Sequence, residues 1–228
     1  MIGIIAAMEE ETRSLLENMQ EKETEEIHHL FYTKGKIGEQ TIVIAQSGIG
    51  KVNSALATAF MIDRYQPELV INTGSAGALK AGLAIGDVLV AKEVAYHDVD
   101  ATAFGYVKGQ VPQMPASYRS DARVIEKMEE AIQKVGLRAE IGSILSSDSF
   151  IADSEAVNNI KSDFPDAGAT EMEGASIAQT CHVMGVPFVV VRAISDSADQ
   201  EASVSFDEFI ETAGKKSAEM VMAFLNAY

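Results

Sequence analysis

Glu171 and Glu173 flank a methionine in Ala169-Thr-Glu-Met-Glu-Gly-Ala-Ser-Ile-Ala178. Downstream, Phe188-Val-Val-Val-Arg-Ala-Ile-Ser-Asp-Ser197 ends a run of strand-forming residues in Ser195 and Asp196. A carboxylate at the carboxyl end of a buried strand lies where α/β proteins place their chemistry. Partial desolvation there would raise the pKa of Asp196 and keep a proton available, which suits a general acid. Its plainer reading is a turn or helix-capping Asp. Glu173 could accept hydrogen bonds from two sugar hydroxyls, a bidentate role that carboxylates fill well; otherwise it is an acid at a helix start. Arg192 falls inside the apolar run, where an unpaired guanidinium is costly. It should pair with an acid, Glu11 or Glu173.

Other stretches could also touch a ligand. Glu9, Glu10 and Glu11 are consecutive. On a helix they point about 100° apart, so at most one or two can face a site. The favourable field at a helix N-terminus accounts for Glu9 and Glu10, and residue physics alone does not select Glu11. Thr73-Gly-Ser-Ala-Gly77 could cradle a phosphate through backbone N–H groups, or simply turn the chain. It lacks the Walker Gly-Lys-Ser/Thr and has the wrong glycine spacing for a dinucleotide fingerprint. Ser47-Gly-Ile-Gly-Lys51 is a similarly weak phosphate-loop lookalike. His28, His29, His97 and His182 form no metal-ligand spacing, so no metal is assigned. No Gly-x-Ser-x-Gly elbow is present, and Cys181-His182, adjacent on a helix, make no nucleophile dyad. Carboxylate chemistry is what remains.

The elements that must position these residues follow from periodicity. Strands are expected over 2–7, 29–36, 40–46, 69–72, 87–94, 139–146 and 187–195. Helices are expected over 8–19, 51–65, 120–135, 154–164, 171–184 and 206–226. Residues 97–117, with three aromatics and two prolines, read as a long functional or interfacial loop. Strands alternating with helices and carrying β-branched runs predict a three-layer α/β/α arrangement around a mixed, mostly parallel sheet. No linker divides residues 1–228, which read as one domain. The polar residues just after the strands then gather at one end of the sheet: Met8 to Glu11, Ser47 to Gly50, Thr73 to Gly77, Ser147 to Ile151 and Arg192 to Asp196.

Bulk properties bound the function. The chain has 228 residues and a formal net charge of −16, which disfavours nucleic acid and anionic membranes as partners. The N-terminus has no basic region before its short apolar run and does not read as a signal peptide. No run approaches the length of a membrane span. The single cysteine, Cys181, sits in a helical pattern as a small buried hydrophobe, and a reducing, cytoplasmic setting fits.

Several separated motifs, in order, resemble those of the bacterial 5′-methylthioadenosine/S-adenosylhomocysteine nucleosidase family of the nucleoside phosphorylase superfamily. They are Ile4-Ile-Ala-Ala-Met-Glu-Glu-Glu11, Ser47-Gly-Ile-Gly-Lys51, Asn72-Thr-Gly-Ser-Ala-Gly77, Asp100-Ala-Thr-Ala-Phe-Gly-Tyr106, Asp148-Ser-Phe-Ile151, Glu171-Met-Glu173 and Val189-Val-Val-Arg-Ala-Ile-Ser-Asp196. The resemblance implies a nucleoside phosphorylase-like fold, a homodimer, no cofactor, and irreversible hydrolysis of an N-glycosidic bond to adenine and a 5-thioribose derivative. It further implies that Asp196 protonates the purine at N7, Glu11 activates water, and Glu173 holds the ribose hydroxyls. Met172 would pack on the ribose and Phe150 stack on adenine, with Ile151 bonding adenine through its backbone. Met8, Ile49, Ser75, Ala76, Gly77 and Phe206 would line the pocket, and Arg192 and Ser195 would support the acids. Phe104 and Pro112 would reach the 5′-substituent pocket of the other subunit. Ser147 stands where the family often has Gly, and Gly174 where it often has Ala. A phosphorylase of the same superfamily would need cations for phosphate, and in the sequence Asn72-Thr73 precedes Gly74 with no Arg. A non-catalytic nucleoside-binding protein would not need Glu11, Glu173 and Asp196 together.

Overall fold

Two runs of mostly apolar residues, Ile2–Ala6 and Phe188–Asp196, are buried along their whole lengths, the second enclosing Arg192, Ser195 and Asp196. Strands of that kind belong in the interior of a sheet covered on both faces. The computed structural model describes residues 1–136, 138–198 and 202–228, the last stretch with its side chains from Phe206 onward. In chain order the elements begin with β1 (Ile2–Ala6), α1 (Glu9–Asn18), β2 (Gln20–Ile27), β3 (Leu30–Ile37), β4 (Gln40–Gln46), α2 (Lys51–Tyr65) and β5 (Leu69–Ala78). Then come β6 (Val88–Tyr96), a single 3-10 turn at Thr102–Phe104, β7 (Tyr118–Arg119), α3 (Ala122–Lys134), β8 (Ala139–Ser146) and α4 (Ser154–Asp163). The chain closes with β9 (Ala167–Glu171), α5 (Gly174–Met184), β10 (Phe188–Asp196) and α6 (Ala202–Ala227).

The strands run β2-β3-β4-β1-β5, and from β5 the sheet curls back on itself. β5 pairs with β10 on one side and β9 on the other, and β10-β6-β8-β9 complete a closed five-stranded barrel. Helices cover both sides. α1, α3 and α6 pack together over one buried cluster that includes Ile4, Leu15, Ile71, Val189 and Phe224. α2 and α5 pack over another that includes Ile5, Met61, Val70, Ile177 and Cys181. Burial pushes the Cys181 thiol up to about 12, so it serves as a small core hydrophobe.

The α/β class and the helices on both faces agree with the sequence reading. The mostly parallel sheet does not. Parallel pairings (β1–β4, β1–β5, β5–β10, β6–β8, β8–β9) are matched in number by antiparallel ones (β2–β3, β3–β4, β5–β9, β6–β7, β6–β10). The missing strands explain the error. β2, Gln-Glu-Lys-Glu-Thr-Glu-Glu-Ile, is a charged, mostly exposed edge strand with no apolar alternation to announce it. β9, Ala-Gly-Ala-Thr-Glu, is short and built of small residues. β5 also runs on to Ala78, taking in the Thr73–Gly77 stretch expected as a loop. α6 starts earlier than expected, at Ala202. Among the described residues no helix is long and apolar enough to cross a membrane.

Candidate active site

Glu11 enters the site because α1 starts immediately after β1. At the third position of the helix its Oε2 accepts the N–H groups of Ala7 (2.9 Å) and Met8 (3.2 Å), two donors left orphaned by the helix start. Its Oε1 accepts from the N–H (2.9 Å) and Oγ (3.1 Å) of Ser75 on β5. Four donors from two elements hold the carboxylate, which is 1% exposed. Glu9 is exposed and Glu10 half-buried, so the chain buries one acid of the three. Gly74 makes this approach possible. Its φ is +155°, and a Cβ there would lie 2.6 Å from Glu11 Oε1 and 2.5 Å from an Arg192 nitrogen. The Gly74 N–H donates to Ser217 Oγ on α6 (3.0 Å), and Ser217 also pairs with Thr73 Oγ1.

Asp196 is aimed by a bulge. β10 and β5 keep register to Ile194–Ala76, and then Asp196 pairs with Gly77, leaving Ser195 as the extra residue. Ser195 Oγ donates to Asp196 Oδ2 at 2.8 Å, and the Ala198 N–H donates to Oδ1 at 2.8 Å. Gly77 gives the carboxylate room, since a Cβ there would meet Asp196 Oδ1 at 2.7 Å.

Glu173 caps α5. Its Oε1 accepts the Gly50 N–H at 3.0 Å, and its Oε2 lies 3.4 Å from Arg192 Nη2. Burial pushes its carboxyl up to about 7; Arg192 and the Gly50 N–H oppose that rise, and the charges of Glu171 and Glu11 add to it. Arg192 is 1% exposed. It does pair with an acid, but the near partner is Glu171, with Asn72 Oδ1 at 2.7 Å and Glu173 farther off. The sequence reading, which offered Glu11 or Glu173, missed Glu171. A buried arginine close to two acids spaced i and i+2 was the available signal, but choosing between them needed β9, the strand that turns Glu171 inward.

Glu11, Glu173 and Asp196 share one cavity of about 400 Å³. Met8, Ile49, Ser75, Ala76, Gly77, Phe150, Met172, Arg192, Ser195 and Phe206 also line it, as do Thr170 and Asp207, which the sequence did not suggest. Ile151 lines a small adjoining cavity between Phe150 and Asp196. Ser147 shapes that loop: its Oγ donates to the Ser149 carbonyl (3.0 Å) and accepts the Ser149 N–H (3.1 Å). Phe104 and Pro112 do not line this chain's cavity. Both are exposed, Phe104 by 83%.

The profile of the phosphorylase superfamily matches residues 1–226. A 5′-methylthioadenosine/S-adenosylhomocysteine nucleosidase from Exiguobacterium sp. is 51% identical over 223 residues, 97% of this chain and 96% of its own. The chain belongs to the 5′-methylthioadenosine/S-adenosylhomocysteine nucleosidase family of the phosphorylase superfamily. Another of these nucleosidases, from Neisseria meningitidis, was solved in complex with methylthio-immucillin-A. It is 46% identical with a TM-score of 0.98, over 100% of this chain and 99% of that one. Futalosine hydrolase of Helicobacter pylori shares the fold at 36% identity and a TM-score of 0.95, over 100% of this chain and 97% of its own. The cavity is rich in acids. Its described lining holds five carboxyl groups, Glu11, Glu171, Glu173, Asp196 and Asp207, against one guanidinium, whose Nη2 is taken by Glu171 and Asn72. A phosphate ion would meet repulsion there, whereas water and a cationic sugar would be welcome.

Proposed function

We propose that this chain hydrolyses the N-glycosidic bond of 5′-methylthioadenosine and S-adenosylhomocysteine, releasing adenine and a 5-thioribose derivative, as in methionine salvage. The observation that carries the reading is the meeting of Glu11, Glu173 and Asp196 in a cavity where the one arginine of the described lining has its Nη2 taken by Glu171. Asp196 gives its proton to purine N7, so that adenine leaves as a neutral base. Glu11 takes a proton from water as the water attacks the anomeric carbon. Glu173 holds the ribose hydroxyls and stabilises the positive charge that develops on the sugar. The logic parallels that of inverting glycosidases, where water attacks directly.

Phe150 stacks on the base and Ile151 bonds it through the backbone. Met172 packs on the ribose, and the apolar wall of Met8, Ile49 and Phe206 receives the sulfur substituent. No cofactor takes part. The chain acts as one domain, a reading supported by the end-to-end family match. It works as a homodimer in the cytoplasm, with the loop carrying Phe104 and Pro112 covering the partner's 5′-substituent. The exposure of Phe104 supports this assembly.

The test is incubation with methylthioadenosine, S-adenosylhomocysteine, futalosine, adenosine and inosine, with and without phosphate. Adenine should be released from the two thio-nucleosides at a rate independent of phosphate, together with a free reducing sugar. A sugar 1-phosphate would overturn hydrolysis, and preference for futalosine would overturn the substrate assignment.

A further inference from the structure

The cavity holds one more deeply buried acid than the proposed reaction uses. Glu171 ends β9, and only 2% of its side chain is exposed. Its carboxylate accepts the Glu173 N–H at 3.1 Å and the Gly174 N–H at 3.0 and 2.8 Å, and it receives Ser146 Oγ and Arg192 Nη2 as well. It therefore occupies the positive end of α5 and the near side of the guanidinium together. Gly174 leaves it little spare room, since a Cβ at that position would approach Glu171 Oε1 to 3.1 Å. Glu173 is served less well: one backbone N–H, from Gly50, and Arg192 at 3.4 Å.

Two buried carboxylates thus compete for one guanidinium, and the one that the proposed chemistry does not use has the closer contact. We propose that Glu171 is a positioning residue: by keeping Arg192 and the first N–H groups of α5 to itself, it stops that guanidinium from neutralising Glu173 and leaves the Glu173 charge for the cationic sugar. This rests on the hydrolase reading given above. Were Arg192 to turn fully onto Glu173, the developing cation would face a closed ion pair instead of an under-compensated carboxylate.

The charged and titratable groups around the pair come from several elements. Arg192 and Asp196 belong to β10, Glu11 to α1 and Asp207 to α6. Tyr96 at the end of β6 and the following His97 both feel the Glu171 charge, although burial dominates each of them. Beyond Gly50, Lys51 is paired with Asp98 (2.7 Å) and Asp148 (3.6 Å). Among these, Arg192 is the cation within reach of both acids.

The experiment titrates side-chain carboxyl carbons in unliganded protein carrying ¹³C-glutamate, with the Glu173 signal identified by its loss in Glu173→Gln. In Glu171→Gln the lost Glu171 charge and the release of Arg192 toward Glu173 both lower the Glu173 midpoint, together by about one pH unit or more, and Glu171→Asp isolates the second. Turnover at saturating substrate should drop while KM changes little, because the loss is in the transition state. Glu171→Asp keeps the charge but withdraws it from Arg192, so its midpoint should fall by less. That variant carries the test alone if the glutamine form does not fold. A Glu173 midpoint unmoved in either folded variant would reduce Glu171 to a helix cap and overturn the proposal. The titration does not depend on turnover, so wild-type protein that released no adenine would sink the hydrolase reading separately.

Discussion

Asp196 is fixed at both oxygens, by the hydroxyl of Ser195 and the backbone of Ala198, at the end of a strand whose every residue is buried. Replacing it by Asn preserves shape and hydrogen bonding but removes the proton to be delivered. Adenine release by Asp196→Asn should fall by about 10²-fold or more, with nucleoside binding retained by calorimetry. Turnover near the wild-type rate would place the acid elsewhere. Glu173 invites a thermodynamic measurement. Its folded pKa of about 7 lies above the ordinary carboxylate value of 4.5, chiefly through burial. Between those two values the native state binds more protons than the unfolded one, so this group's contribution to stability is present at low pH and is lost as pH rises through about 7. Glu173→Gln abolishes that titration. The stability of the wild type relative to Glu173→Gln should therefore decline by on the order of 1–3 kcal/mol between about pH 5 and pH 8, as read by thermal melts at each pH; a flat difference would contradict the raised pKa. At this scale much of the site was legible. An Asp ending an apolar run and an Arg inside one are both expensive unless they have a purpose. Glu171 was not assigned because its importance is relational: it lies in the donors that converge on it from β8, α5 and β10.

Among the elements, α6 does more than cover the sheet. Phe206 lines the cavity, Ser217 receives the Gly74 N–H, and between them Gly214 lies against the start of α1. A Cβ on Gly214 would fall 2.5 Å from the Glu10 carbonyl oxygen and 3.3 Å from Glu11 Cα. These are backbone atoms that cannot rotate away. Gly214→Ala should thus push the first turn of α1 outward, costing about 1–3 kcal/mol of stability and lowering turnover through the displaced Glu11. Unchanged melting and activity would show that the two helices adjust freely. The strands with apolar runs, β1, β4, β6 and β10, were readable because burial on both faces selects β-branched residues. β2 and β9 were not. An edge strand protected by charges looks like a helix or loop in sequence, and a five-residue strand of small residues carries no periodicity at all.

At the scale of the whole molecule, closure of the barrel was beyond the sequence, because it depends on β5 pairing with both β9 and β10. The surface, however, carries an assembly signal. Ile49, Val52 and Leu56 are exposed along one side of α2 and its approach, next to the cavity, and Phe104 and Val107 are exposed on the long loop. In a chain of net charge −16 such groups call for a partner. Light scattering should give a dimer at micromolar concentration. In the proposed dimer, Val52→Glu should yield a folded monomer with a raised KM through loss of the neighbour's loop. A wild-type monomer with full activity would refute the assembly.

The hydrogen bond from the Ser75 amide to Glu11 has a use beyond holding the carboxylate. Most amides of a central strand donate to another strand, so their solvent exchange reports the opening of the sheet. The Ser75 amide donates to a side chain, within a strand anchored on both flanks. Its exchange with deuterium, set against that of its neighbours in β5, therefore reports the lifetime of one contact to Glu11. The protein carries, in a single peptide bond, an isotopic clock for how long Glu11 stays in place.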